Sequence, residues 1–264
     1  ETVGPTCATI DSDMAVGRAA AEVMDEAYGE DPTTYYGALR GGSLLLERVG
    51  IVGVNASLLI SSQARCVVLL EPRLAGRVGF IDPGTEAAAQ PGGAGLSDIR
   101  IYNPYVYGST EASVFPVGDV TVVGGTSYGT LDFTTQGSVK LQGFVNGGMV
   151  SLRDSRSVYI ADATNAPSGA IDCANVTLAM EGAVNDGVFV AEVGSYGFYN
   201  FTNNGTAAFD GGAALLRGVA AGAESAMSFQ NALVDMTDVD NSGNLTLRGG
   251  TVYVHDVRNS GTVV

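Results

Sequence analysis

The side chains best suited to acid–base or cation chemistry gather near the C-terminal end of the sequence. Asp235, Asp238 and Asp240 sit close together, and Arg248, His255 and Asp256 follow. Aspartates held on neighbouring strands can bind a divalent cation, and a nearby Arg or His can then move a proton. A solvated acidic corner is the ordinary explanation for the same group. A second pair, Asp132 and Asp172, falls at equivalent places two repeats apart, with Ser151 between them. His255, the single histidine, lies in Tyr253-Val254-His255-Asp256, where strand alternation points it outward. No G-x-S-x-G nucleophile turn is present. Gly92-Gly93-Ala94-Gly95 lacks the strand–loop–helix setting of a phosphate cradle. The reading assigns no catalytic residue, no metal ligand and no cofactor. It keeps Asp235, Asp238, Asp240 and His255 as candidates for an acidic or sugar-binding site.

Other residue types bear on covalent chemistry and recognition. Of three cysteines, Cys7 and Cys66 are placed to pair across the N-terminal region, while Cys173 falls in an apolar column; three buried thiols is the alternative. No Cys-x-x-Cys occurs, so zinc and iron–sulfur sites lack support. Five N-x-S/T sequons begin at Asn55, Asn175, Asn200, Asn204 and Asn244, and in a secreted eukaryotic protein these read as glycan acceptors. Tyr35-Tyr36 with Tyr102, Tyr105 and Tyr107 would suit either a sugar-stacking patch or the packing of a loop onto the body, the latter being favoured.

Composition narrows the partners. The chain of 264 residues carries 13 Lys and Arg against 28 Asp and Glu, a formal charge of −15. That balance argues against nucleic acid and anionic membranes, which require clustered positive charge. No apolar run approaches the roughly 18 residues of a membrane span. A chain that starts at Glu1 is compatible with a processed, secreted protein. With 45% hydrophobic and 16% charged residues the chain has the means to form a core, and 37 glycines and no tryptophan suit many short strands with frequent turns.

The elements that must position these residues are set by a repeat. Turn residues recur at Gly129, Gly148, Gly169, Gly187, Gly205, Ser225, Gly243 and Gly261, an average of about 19 residues apart. Two residues after each lie Leu131, Val150, Ile171, Phe189, Ala207, Met227, Leu245 and Val263. Four residues after lie Phe133, Leu152, Cys173, Ala191, Phe209, Phe229 and Leu247. All are apolar, while the position between them is mixed, which is the signature of a strand with one buried face. Several anchors follow Asn or Asp, read here as tolerating a left-handed corner. A second strand is expected with inward pairs Val139/Leu141, Val158/Ile160, Val176/Leu178, Tyr196/Phe198, Val234/Met236 and Val252/Val254. A coil this short buries its apolar face only by stacking on its neighbours. The fold expected is all-β: a parallel β-helix, or β-solenoid, with coils of about 19 residues and a short N-terminal capping helix.

The helix is expected over Asp11–Tyr28, with Met14, Gly17, Ala21, Met24 and Tyr28 on one face. Strands are expected at Gly42–Glu47, Val49–Ser61, Cys66–Leu70, Ile99–Tyr102 and Val120–Val123, and Gly84–Gly95 reads as an exposed loop. Residues 1–96 form the capping helix and first irregular coils, and 97–264 the regular coils of one continuous domain.

On the segments "DSDMAVGRAAAEVMDEA", "GGSLLLERVGIVGVNASLLIS", "LSDIRIYN" and "NSGNLTLRGGTVYVHDV", the chain resembles the right-handed parallel β-helix superfamily of pectin-lyase-like and autotransporter-passenger proteins. A left-handed hexapeptide helix has a similar coil length but a strict six-residue repeat, which is absent here. The resemblance implies either a structural rod or an enzyme with acid clusters outside one sheet. The Asn-Thr-Asp, Asp-Asp and Gly-His-Gly pattern of polygalacturonase-type members is missing. The mixed outward column also argues against an ice-binding Thr array. The sequence stops at Val264 in mid-coil, and further coils or another subunit are expected to cover that end. The expected function is a non-enzymatic extracellular β-solenoid, a building block of a surface filament, appendage or adhesin. It would associate with itself or with other filament subunits through the coil ends, with glycans as further partners. The alternative is a polysaccharide-active β-helix: a lyase, a hydrolase or a phage tailspike.

Overall fold

A computed structural model describes residues 34–37, 43–47, 50–61, 66–81, 98–108, 111–115, 118–135 and 137–264. The expected helix at Asp11–Tyr28 and loop at Gly84–Gly95 lie outside them, as does Cys7. Every pairing among the described strands is parallel, and strands pair with their counterparts one coil away. The fold is a parallel β-solenoid.

Each regular coil has three sides. A five-residue strand such as Thr130–Thr134 forms the first face, one such as Ser138–Gln142 the second, and a two-residue strand such as Val145–Asn146 the third. Along the first face the register runs Glu111, Thr130, Met149, Ala170, Val188, Thr206, Ala226, Asn244, Thr262, one residue after each anchor from Gly129 onward. The irregular spacing in the sequence is thus the true coil length, varying from one coil to the next. Strands at Ser43–Glu47, Gly50–Ser61, Cys66–Leu70, Asp98–Tyr102 and Val120–Val123 match the five expected within a residue.

The inward columns form one core. Leu131, Val150, Phe189 and Ala207 are essentially inaccessible, as are Phe133, Leu152, Cys173 and Ala191. Phe209 and Phe229 stack at 4.6 Å with an interplanar angle of 7°, and Phe198 meets Phe189 and Phe209 edge-on. Each large apolar side chain stabilises the fold by about 1.5–3 kcal/mol on full burial. One inward pair differs from expectation. Val158 and Ile160 stack on Leu178 and Met180, not on Val176 and Leu178. Val176 is buried too, but at the corner preceding the strand Thr177–Glu181. The second-face register here advances by 20 residues rather than 18, which displaces the alternation by two places and leaves its phase intact. The pair Ala214/Leu216 completes the column where alanine obscured the pattern.

The corners are also built differently from expectation. Asn185, Asn203, Asn241 and Asn259, the asparagines ahead of the anchors, are not left-handed. With Asn146 and Asn165 they point inward along the third face. Asn146 Nδ2 donates to Asn165 Oδ1 (2.8 Å), Asn165 to Asn185 (2.7 Å) and Asn185 to Asn203 (2.7 Å). Asn241 and Asn259 form another such pair at 2.7 Å. Between the two runs stands Ala221, in register with Asn203 and Asn241, and Asn241 Oδ1 has no partner among the described residues. The anchor glycines are required by close approach. A Cβ on Gly148, Gly187, Gly205 or Gly261 would meet the carbonyl oxygen of the anchor one coil below.

Left-handed backbone sits at the other two corners. After the second face it is adopted by Glu71, Asn103, Gly124, Gly143, Asp162, Gly182, Asn200, Gly218, Asp238 and Asp256. After the first face it is adopted by Asp154, Asn175, Val193, Gly211, Asn231 and Gly249. Gly, Asn and Asp tolerate this conformation, whereas a β-branched residue is strained there by about 1–2 kcal/mol. Glu71, at φ 49°, departs from these three types, and Val193, at φ 47° and 65% exposed, is the β-branched exception. Two substitutions follow from these columns. Ala221→Asn joins the two amide runs and gives Asn241 Oδ1 a donor. Val193→Asn relieves the corner. Each is expected to raise stability by about 1 kcal/mol in thermal or urea denaturation, whereas Asn185→Leu, which strands two buried partners, lowers it by about 1–3 kcal/mol.

Candidate functional site

The C-terminal aspartates occupy three settings rather than one. Asp235 points outward from the second face, in register with Leu215 and Tyr253, and its Oδ1 is buried without a hydrogen-bond partner among the described residues. Asp238 is the left-handed corner residue, with φ 56°. Asp240 projects from the third face and lies 3.8 Å from Arg258, both well exposed. His255 is exposed in the next coil beside Thr237. The coil path therefore divides the group between two faces and the corner that separates them. Among the described residues no three His, Cys, Asp or Glu side chains gather as a metal site.

On the first face Asp132, Ser151 and Asp172 are stacked in that order, as the repeat requires. Arg153 pairs with Asp172. The hydrogen bond and charge of Asp172, with smaller contributions from Glu192 and Asp132, hold the guanidinium above its ordinary pKa, against a small opposing effect of burial.

Further along this face the outward column becomes small: Val190, Ala208, Ser228 and Thr246. These residues floor a concavity of about 370 Å³, and Glu192, Asp210, Gln230 and Arg248 stand along one rim. Successive rim residues are one coil apart, about 4.8 Å, so the rim presents two acceptors, an amide and a cation in a row. An extended polar chain lying along the rod would meet them in sequence. The sequence reading missed this trough, because it took the column as merely mixed and grouped Arg248 with His255. The fall in side-chain size from Asp172 to Val190, Ala208 and Ser228 was the available signal.

The sequons are placed on the outside where they are described. Asn175, Asn200, Asn204 and Asn244 are exposed, and Asn55 lies on the strand Gly50–Ser61. Asn175 and Asn200 occupy left-handed corners, and Asn175 Nδ2 and Asn204 Nδ2 donate to Asp154 Oδ1 (3.0 Å) and Asp186 Oδ1 (2.8 Å) one coil below. Cys66 opens the strand Cys66–Leu70. The expected tyrosine group is divided: Tyr35 and Tyr36 belong to Thr34–Gly37, and Tyr102 to the second face. Tyr105 and Tyr107 stay together, and Tyr128 joins them.

Two reactive groups are enclosed in the core. Cys173 is a free thiol, completely buried, and desolvation with a smaller effect of Asp172 pushes its pKa far up. The Tyr196 hydroxyl lacks a partner among the described residues; burial, then Cys173 and Glu192, push its pKa up to about 12. Neither is available for chemistry at neutral pH.

No protein-family model, curated protein or solved structure matches this chain. No helix among the described residues is long and apolar enough to cross a membrane.

The buried pair makes alkaline stability a test of the packing. Both folded pKa values exceed the unfolded ones, so the contribution is complete below the ordinary thiol value of 9.0 and is lost as pH rises towards 12. The melting temperature is expected to fall across that interval, and less steeply in Tyr196→Phe. At neutral pH Tyr196→Phe is expected to be neutral or stabilising, since it removes an unpartnered buried hydroxyl.

Proposed function

We propose that this chain is a non-enzymatic extracellular structural β-solenoid, a building block of a surface filament, appendage or adhesin, which associates with a second copy of itself end to end. The observation that carries the reading is the repeating ladder itself, in which coil stacks on coil through parallel strands along all three faces. Val254 is 55% exposed and Val263 49%, whereas Met236 and Leu245, one coil below in the same columns, are 1% and 3% exposed. An added coil would bury these valines and complete the main-chain ladder, which is how every other coil in the stack is held. The charge of −15 and the exposed sequons are compatible with a soluble extracellular surface.

The ladder supplies a selective test. N–H groups alternate in direction along a face: Leu247 N–H donates onward to Val264 O, and Val264 N–H donates back to Leu245 O. Thr251 N–H donates back to Ala232 O, so the alternation directs the N–H groups of Val252 and Val254 away from the preceding coil. Val254→Pro then removes an outward donor while sparing the inner ladder. Sedimentation and electron microscopy of the wild-type chain are expected to show end-to-end oligomers or filaments, which Val254→Pro shortens and Val254→Thr does not. A wild-type chain that stays monomeric at high concentration would refute the reading.

The trough on the first face favours a second reading, a polysaccharide-active β-helix. Its rim of Glu192, Asp210, Gln230 and Arg248 suits an extended glycan. Incubation with polygalacturonate, followed by assay for new reducing or unsaturated ends, is expected to yield none. Cleavage that falls at least tenfold in Glu192→Gln or Asp210→Asn would transfer the function to the trough.

A further inference from the structure

The exposed aromatic surface lies away from both the coil end and the trough. Tyr107 and Tyr128 occupy the same corner column one coil apart, and Tyr105 projects from the adjoining third face. The ring centroids of Tyr105 and Tyr107 are 5.1 Å apart with planes at 80°, and those of Tyr105 and Tyr128 are 5.9 Å apart at 58°. Tyr105 is 43% exposed and Tyr128 52%. The tilted planes form an angled cradle rather than a flat surface.

The neighbouring residues leave the Tyr105 and Tyr128 rings open. The next place in the corner column is Gly147, where a Cβ would lie 3.1 Å from Tyr128 Cδ1 and 3.3 Å from Cε1. Gly108 is in van der Waals range of the same side chain. Thr126 follows Tyr105 in the outward column. A hydroxyl, backbone and, one coil below Tyr105, the exposed Arg73 thus border the rings, and none of these positions is a carboxylate, although the chain carries a charge of −15.

We infer that Tyr105, Tyr107 and Tyr128 form a binding platform for a neutral oligosaccharide. The C–H-lined face of a pyranose ring is weakly positive and packs on the negative face of an aromatic ring, while its hydroxyls need polar neighbours at the edge. Tyr105 and Tyr128, about half exposed, and the partly buried Tyr107 present on the order of 300 Å². A stable protein partner buries about 800 Å² on each side, so this area suits one or two sugar rings rather than another chain. The net charge of −15 on the whole chain disfavours a polyanionic glycan. The inference is independent of end-to-end association, since it concerns a different side of the rod.

The test is calorimetric titration of the full chain with cellohexaose, laminarihexaose, xylohexaose and polygalacturonate. The expected result is binding of at least one neutral hexasaccharide, weakened about tenfold in Tyr128→Ala, the loss of one stacked ring. Tyr253→Ala, on the second face, is expected to bind as wild type. Tyr128→Leu, which retains an apolar side chain, serves if the alanine variant loses its circular-dichroism spectrum. Binding of none of the neutral sugars, equal binding by both Tyr128 variants, or binding of polygalacturonate alone would overturn the inference. So would tyrosine rings shielded from iodide quenching in the free protein, because they would then be covered by the chain itself.

Discussion

Everything in this molecule follows from the main-chain hydrogen-bond ladder between coils. It places each residue directly over its counterpart about 4.8 Å away, so any feature that suits one coil must also suit the coil above. Glycine anchors exist because the carbonyl below leaves no room for a Cβ. Left-handed corners recur as Gly, Asn or Asp because each coil turns at the same place. Even the phenylalanines of the core choose geometries compatible with a like neighbour, the stacked Phe209–Phe229 pair being the tightest.

The same constraint governs what chemistry the surface can support. A catalytic centre draws different side chains to one point, whereas stacking arranges them in parallel rows along the rod. Asp235, Asp238 and Asp240 are close in sequence yet belong to separate rows. Conversely, Glu192, Asp210, Gln230 and Arg248 are far apart in sequence and form one edge. Rows lend themselves to binding extended polymers and to making length.

Much of the architecture was legible because alternation with period two and recurrence near 19 residues are carried by side-chain type alone. The inward columns from Leu131 to Leu245 could be placed to the residue. What could not be read was the reason for a residue's presence. An asparagine before a glycine has the same letters whether it turns the chain or lies buried in an amide row, and only backbone conformation separates the two. Val176 illustrates a further limit: an apolar corner residue one place before a strand shares the phase of that strand's inward positions. The trough and the place of Tyr128 beside Tyr105 escaped notice for a third reason. Both join residues from different coils, and the trough's concavity depends on side-chain size relative to neighbours that are not adjacent in sequence.

The interruption of the amide row at Ala221 has a mechanical meaning. Solenoids behave as one-dimensional lattices, in which each unit is held by its own folding and by its contacts with the next. A row of aligned amides stiffens that coupling, since each dipole polarises the following one. Where Ala221 stands, the coupling falls to apolar packing and main-chain bonds alone. The amide row is thus divided in two, and across the division the coils are coupled by the Phe189–Phe209 and Phe209–Phe229 contacts and the main-chain ladder instead.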